Sequence, residues 1–69
     1  MKEREKQVLD YIIKFKTING YSPTIREIAN GLNTKSLSYV SESLERLSEL
    51  GAINYQKNKP RTIRVLKFE

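Results

Sequence analysis

Thr24-Ile25-Arg26-Glu27-Ile28-Ala29-Asn30-Gly31-Leu32-Asn33-Thr34-Lys35-Ser36-Leu37 decides the fold. Its first four residues spell a capping box: the Thr24 hydroxyl can accept from the Glu27 amide while the Glu27 carboxylate reaches back to the Thr24 amide. A helix therefore starts at Ile25 and turns Ile25, Ile28, Ala29 and Leu32 inward. Asn30-Gly31-Leu32-Asn33 stops it, and Asn33 suits a left-handed turn because its short polar side chain tolerates positive φ. Only residues 33–36 separate this helix from the next, the short connection of a helix-turn-helix unit.

Downstream, residues 37–50 read as a third helix with Gly51 just past its end. Leu37, Val40, Leu44, Leu47 and Leu50 keep to one stripe at spacings of three and four, with Ser38, Tyr39, Ser41, Glu42, Glu45, Arg46 and Glu49 opposite. After Gly51 the period changes to two: residues 52–56 and 62–66 read as strands, joined by the loop Lys57-Asn58-Lys59-Pro60. Upstream, residues 3–18 form a first helix that carries Val8, Leu9, Ile12, Ile13 and Phe15, with Tyr11 and Ile18 nearby. Asn19-Gly20 ends it, and Tyr21-Ser22-Pro23 is extended because the residue before proline is driven out of the helical region. Lys2, Arg4 and Lys6 interleave with Glu3 and Glu5 and read as a frayed, solvated first turn. Three helices followed by a two-stranded wing predict a mainly α winged helix-turn-helix, a single domain over residues 1–69.

Composition narrows the function. A chain of 69 residues buries only about 60% of the surface its unfolded form exposes, so the core is single and thin. With 38% hydrophobic and 30% charged residues it reads as a folded soluble domain rather than a disordered tail. No cysteine means no disulfide and no thiolate metal site, a usage that fits a reducing cytoplasm. No histidine removes the commonest general base, and no catalytic pair, phosphate-binding glycine loop or metal box is present. The chain is expected to be no enzyme and to need no cofactor. Met1-Lys2-Glu3-Arg4-Glu5-Lys6 leads into no apolar stretch, so it is not a signal peptide, and no run approaches the ~20 residues of a membrane span. A membrane partner is not expected.

The net charge of +5 sits in the wing. Lys57, Lys59, Arg61, Arg64 and Lys67 fall there without one acidic residue, whereas the rest of the chain balances eight basic against eight acidic residues. Cations on a sheet edge can simply resist aggregation. Five without an anion point instead to phosphate or minor-groove contact, with Lys57, Lys59, Arg61 and Arg64 as candidates.

The turn into the third helix is the second candidate surface. Asn33-Thr34-Lys35-Ser36-Leu37-Ser38-Tyr39 presents hydroxyls, an ammonium and an aromatic at a helix N-terminus, where backbone amides favour phosphate. Ser36 or Ser38 would serve as the N-cap whatever the function. Tyr39 lies off the apolar stripe; it either meets a base edge, sugar or thymine methyl or folds back over the first helix. Glu42, Glu45 and Glu49 read as a solvated face, except that Glu42, one turn beyond Ser38, could accept from a cytosine amino group.

Several blocks together resemble a known family: Gln7-Val8-Leu9-Asp10-Tyr11-Ile12; Asn19-Gly20-Tyr21-Ser22-Pro23-Thr24-Ile25-Arg26-Glu27-Ile28-Ala29; Leu44-Glu45-Arg46-Leu47; Leu50-Gly51-Ala52-Ile53; and Lys59-Pro60-Arg61-Thr62-Ile63-Arg64-Val65-Leu66. They closely resemble the N-terminal domain of the LexA family of SOS-response repressors, without a gap over residues 5–66. The resemblance implies a winged helix that binds palindromic operators as a dimer, with its third helix in the major groove. Carried over by position, it implies recognition by Ser36, Ser38, Tyr39, Ser41 and Glu42, and phosphate contacts from the wing. Leu32-Asn33 stands where the family usually has Leu-Gly, and the segment from Ser36 to Val40 lacks the small and amide residues often found there, so no operator sequence carries over. The family's self-cleavage site and serine-lysine protease domain have no counterpart in these residues; the chain reads either as an excised domain or as a stand-alone regulator.

The expected function is sequence-specific binding of double-stranded DNA as a transcriptional repressor, helix 37–50 reading the major groove and the basic wing, 52–67, lying on the backbone. The expected state is a monomer or weak homodimer that pairs on DNA. Two alternatives stay open: a winged helix that binds another regulator through Glu42, Glu45 and Glu49, and a sequence-indifferent nucleic-acid binder.

Overall fold

A computed structural model describes residues 1–66. The elements run α1 (Glu3–Asn19), α2 (Ile25–Gly31), α3 (Leu37–Glu49), β1 (Ile53–Asn54) and β2 (Arg64–Val65). Both Thr24–Glu27 hydrogen bonds of the capping box form, at 2.9 and 3.1 Å, so α2 starts where local chemistry dictates. It ends in a Schellman turn. Asn33 adopts φ 59°, its amide donates to the Asn30 carbonyl at 3.1 Å, and the Thr34 amide donates to the Ala29 carbonyl at 2.9 Å. Asparagine thus holds the left-handed position that glycine would fill without strain.

Gly31 lies where α2 approaches α1. A Cβ built on it would overlap the ring of Tyr11, an impossible contact unless the ring moves. Gly31→Ala is therefore expected to cost about 1–3 kcal/mol through overpacking. The test is a denaturant midpoint measured in the wild type and again beside Tyr11→Ala, where most of the cost should vanish.

The third helix opens with Ser36 as N-cap, its hydroxyl accepting from the Tyr39 amide at 3.1 Å. Gly51, at φ 78°, closes it one residue earlier than the stripe suggested, with Leu50 as the cap. The stripe is buried only in its middle. Val40, Leu44 and Leu47 are fully covered, while Leu37 and Leu50 at its ends are 40% and 46% exposed. Ser43 joins the buried side, so the covered arc of α3 is wider on the flank facing the start of α1.

That flank corrects the reading of the N-terminus as a frayed turn. Glu5 is only 4% exposed, accepts from the Lys2 amide at 3.1 Å and lies 3.8 Å from Nε of Arg46 on α3. The first turn of α1 is held because α3 covers it. Ile18, by contrast, is 72% exposed: six residues beyond Ile12 it points about 240° around the helix, away from the buried side.

β1 and β2 pair antiparallel, Ile53 opposite Val65 and Asn54 opposite Arg64. Each strand is two residues long, not the five predicted: at the base the Leu66 amide still donates to the Ala52 carbonyl at 2.8 Å, and toward the tip a side chain takes over the ladder. Thr62 Oγ1 accepts from the Gln56 amide at 2.9 Å, and its hydroxyl lies 3.2 and 3.1 Å from the Gln56 and Lys59 carbonyls. The core is Val8, Leu9 and Ile12 from α1, Ile28 and Ala29 from α2, Val40, Leu44 and Leu47 from α3, and Ala52, Ile53 and Ile63 from the hairpin.

Candidate nucleic-acid interface

Starting α3 at Ser36 places its first exposed polar side chains on one side. Lys35, Ser36, Ser38 and Glu42 are exposed and Ser41 is half-buried. Ser38 and Glu42 are one helical turn apart and so share a face. Ser36 spends its hydroxyl on the cap; Ser38 does not.

Tyr39 takes the second of the two orientations its position allowed. It is half-buried against the core, and the Arg4 guanidinium sits 4.7 Å from its ring centroid. Its backbone position lies one turn before the buried Ser43, which puts it on the flank facing α1, not on the outer face. The exposed part of Tyr39 is thus turned toward α1, and Arg4 with Tyr39 helps fix α1 against α3.

The acidic residues of α3 divide. Glu45 pairs with Lys57 Nζ at 2.6 Å and Glu49 with Arg46 at 3.2 Å. Glu42 forms no ion pair among the described residues. Two of the three carboxylates on which the protein-binding alternative relied are thus already matched by cations of the same chain.

In the wing, Lys59 and Arg64 are exposed and form no ion pair among the described residues. Lys57 is exposed too, and its hydrogen bond to Glu45 raises its ammonium pKa above the usual lysine value. Lys67, the fifth cation of the predicted wing, lies outside the described residues. Arg61 departs from its expected place on the DNA side. Its guanidinium forks the Glu27 carboxylate through two hydrogen bonds of 3.0 Å, and donates to the Ser22 carbonyl at 3.0 Å. The fork, with the capping bond from Thr24, holds Glu27 below the usual carboxylate range. A lowered carboxylate stabilises the fold at neutral pH, and that contribution fades as acid protonates it.

Between the wing and the starts of α2 and α3 runs an open groove of about 500 Å³, lined among others by Ile25, Arg26, Leu37, Ser41, Lys57 and Lys59. Arg26 was not among the residues picked out from sequence. Its place inside the capping box, at the second position of a capped helix, was the available signal. Among the described residues no cluster of three metal-ligating side chains occurs, and no helix is long and apolar enough to cross a membrane.

Three helices, the second and third joined by a tight turn, followed by a basic two-stranded hairpin, define a winged helix-turn-helix protein. Comparison with known proteins takes the assignment further: the family model described as LexA DNA binding domain matches residues 1–62. The chain belongs to the LexA DNA-binding domain family. It is 38% identical over 66 residues to the LexA repressor of Exiguobacterium sibiricum, a match that covers 96% of this chain and 32% of that protein. The LexA repressor of Acetivibrio thermocellus is 38% identical over 64 residues, covering 93% of this chain and 30% of that protein. That of Halalkalibacterium halodurans is 38% identical over 69 residues, 100% of this chain and 33% of that protein. The chain thus spans about a third of the length of these relatives.

Proposed function

We propose that this chain is a sequence-specific double-stranded DNA binder that represses transcription by occupying an operator in the cytoplasm, with no catalytic step. The third helix enters the major groove, where Ser38, Ser41 and Glu42 meet base edges and Lys35 and Ser36 meet the adjoining phosphates. The wing lies over the backbone through Lys59 and Arg64, with Lys57 exchanging Glu45 for a phosphate. The observation that carries the reading is an exposed Ser38–Glu42 face beside Lys59 and Arg64, cations of the neighbouring hairpin that form no ion pair among the described residues. The operator is palindromic and the chain pairs on it: the apolar side chains of a thin core leave no stripe of heptad length for a tight dimer off DNA.

A salt titration tests this on two probes, a duplex enriched from a random library on the protein and a mixed-sequence duplex of equal length. The enriched duplex is expected to bind at least about a thousandfold more tightly, with both affinities falling as salt rises. Equal affinities would make the chain a sequence-indifferent binder. No affinity for either at low salt would favour a protein partner and overturn the proposal.

A further inference from the structure

We infer that Arg61 is the positioning residue of the wing: it latches the hairpin tip to the start of α2, and DNA affinity depends on it through the placement of Lys59 and Arg64. The inference rests on the DNA-binding reading above.

The hairpin has little of its own to set its angle. Its ladder is two residue pairs, and an isolated two-stranded hairpin is marginal in water. Thr62 clasps Gln56 and the Lys59 carbonyl, so the tip is tied together as one piece. Ile63 anchors its base in the core. Lys16 of α1 also donates to the Ile63 carbonyl at 3.3 Å, and among the described residues the tip itself is tied to the helices by Arg61 on one side and by the exposed pair of Lys57 with Glu45 on the other. A single exposed lysine pair holds weakly. Arg61 holds through four partners: both oxygens of Glu27, the Ser22 carbonyl, and the Tyr21 ring, whose centroid is 4.6 Å from the guanidinium carbon. These partners lie 34 or more residues away in sequence. Bidentate geometry fixes orientation as well as distance, which a lysine at the same place could not do.

The backbone agrees. Arg61 sits at φ 59°, a left-handed conformation unfavourable for any residue with a Cβ. Left-handed backbone in a non-glycine residue persists where surrounding contacts over-determine it, and the fork supplies such contacts. The fork and the Ser22 carbonyl take both Nη1 hydrogens and one on Nη2, so while the latch stands a phosphate could meet only the Nε hydrogen and the second on Nη2.

Glu27→Gln separates a latch from a phosphate contact because the two predict opposite signs. Glutamine still completes the capping box, so α2 keeps its start. The substitution removes a negative charge and frees Arg61. Were Arg61 a phosphate contact held in reserve, binding to a mixed-sequence duplex would tighten and its salt dependence would steepen. A latch predicts the reverse: binding weakens about three- to tenfold and the salt slope becomes shallower, as phosphate contacts of the wing are lost. Arg61→Lys, which keeps the charge but not the fork, should weaken binding alike. In a Lys59→Ala, Arg64→Ala background the loss from either substitution should shrink to what Lys57 alone transmits, since the latch acts through the cations of the wing. Circular dichroism at the assay temperature checks that each variant is folded. Tighter binding by Glu27→Gln, wild-type affinity in Arg61→Lys, or an undiminished loss in the background without Lys59 and Arg64 would overturn the latch. Failure of the DNA-binding reading would look different: the wild type itself would not bind the duplex.

Discussion

Leu44→Ala should lower the free energy of unfolding by about 2–5 kcal/mol, the range for truncating a buried leucine. Leu44 is completely buried at the middle of α3, the helix that packs against both α1 and α2. Part of the loss is the transfer of the removed carbons; the rest is the cavity, which collapses only as far as the neighbours can shift. A domain of this size has on the order of 5 kcal/mol in total, so the variant should be largely unfolded at physiological temperature. The measurement is a urea midpoint with the slope unchanged. Leu50→Ala is the control on the same stripe: half-exposed at the cap, it should change stability by about 0.5 kcal/mol or less. Equal effects at the two positions would mean that α3 is not packed along its centre.

The contrast between those leucines marks how far sequence carries. Spacing places both on one stripe, and only the packing of α1 and the hairpin decides that the stripe is covered in its middle. Helix starts and stops were legible because their causes lie within a few residues: Thr24 and Glu27 cap each other, Ser36 caps α3, and Asn33 and Gly51 take the left-handed turns. Charge location was legible in the same way, since cations can be counted along a hairpin. Charge pairing was not. Lys57 meets Glu45 across 12 residues and Arg61 meets Glu27 across 34, so two of the wing's cations were read as free when they are matched. The orientation of Tyr39 and the burial of Glu5 were not legible for one shared reason: both lie on the flank of α3 and α1 that only the docking of these two helices covers. The strands came out short because the Thr62 hydroxyl does the work of backbone pairing, which no period-two pattern reveals.

Those same contacts decide which residues can test recognition. Tyr39 is a poor probe, since its removal would loosen α1 from α3 as well as alter any DNA contact. Ser38 and Glu42 are exposed and form no ion pair among the described residues, so replacing both with alanine should leave the fold intact. On the enriched duplex the double variant should lose about 1–3 kcal/mol for each base contact removed, roughly five- to 150-fold per contact. On a mixed-sequence duplex it should lose nothing, and removing the Glu42 carboxylate should even favour binding slightly, because a repulsive charge leaves the phosphates. Lys59→Ala with Arg64→Ala should do the opposite, weakening both duplexes alike and reducing the salt slope by nearly one unit per lost phosphate contact. The asymmetry follows from shape: the first turns of a helix fit the ~12 Å major groove, where each base pair displays a distinct pattern, while a hairpin beside it meets the uniform backbone. Should the Ser38 and Glu42 variant weaken both duplexes equally, those side chains touch phosphate, α3 lies across the backbone instead of in the groove, and base reading must come from the wing.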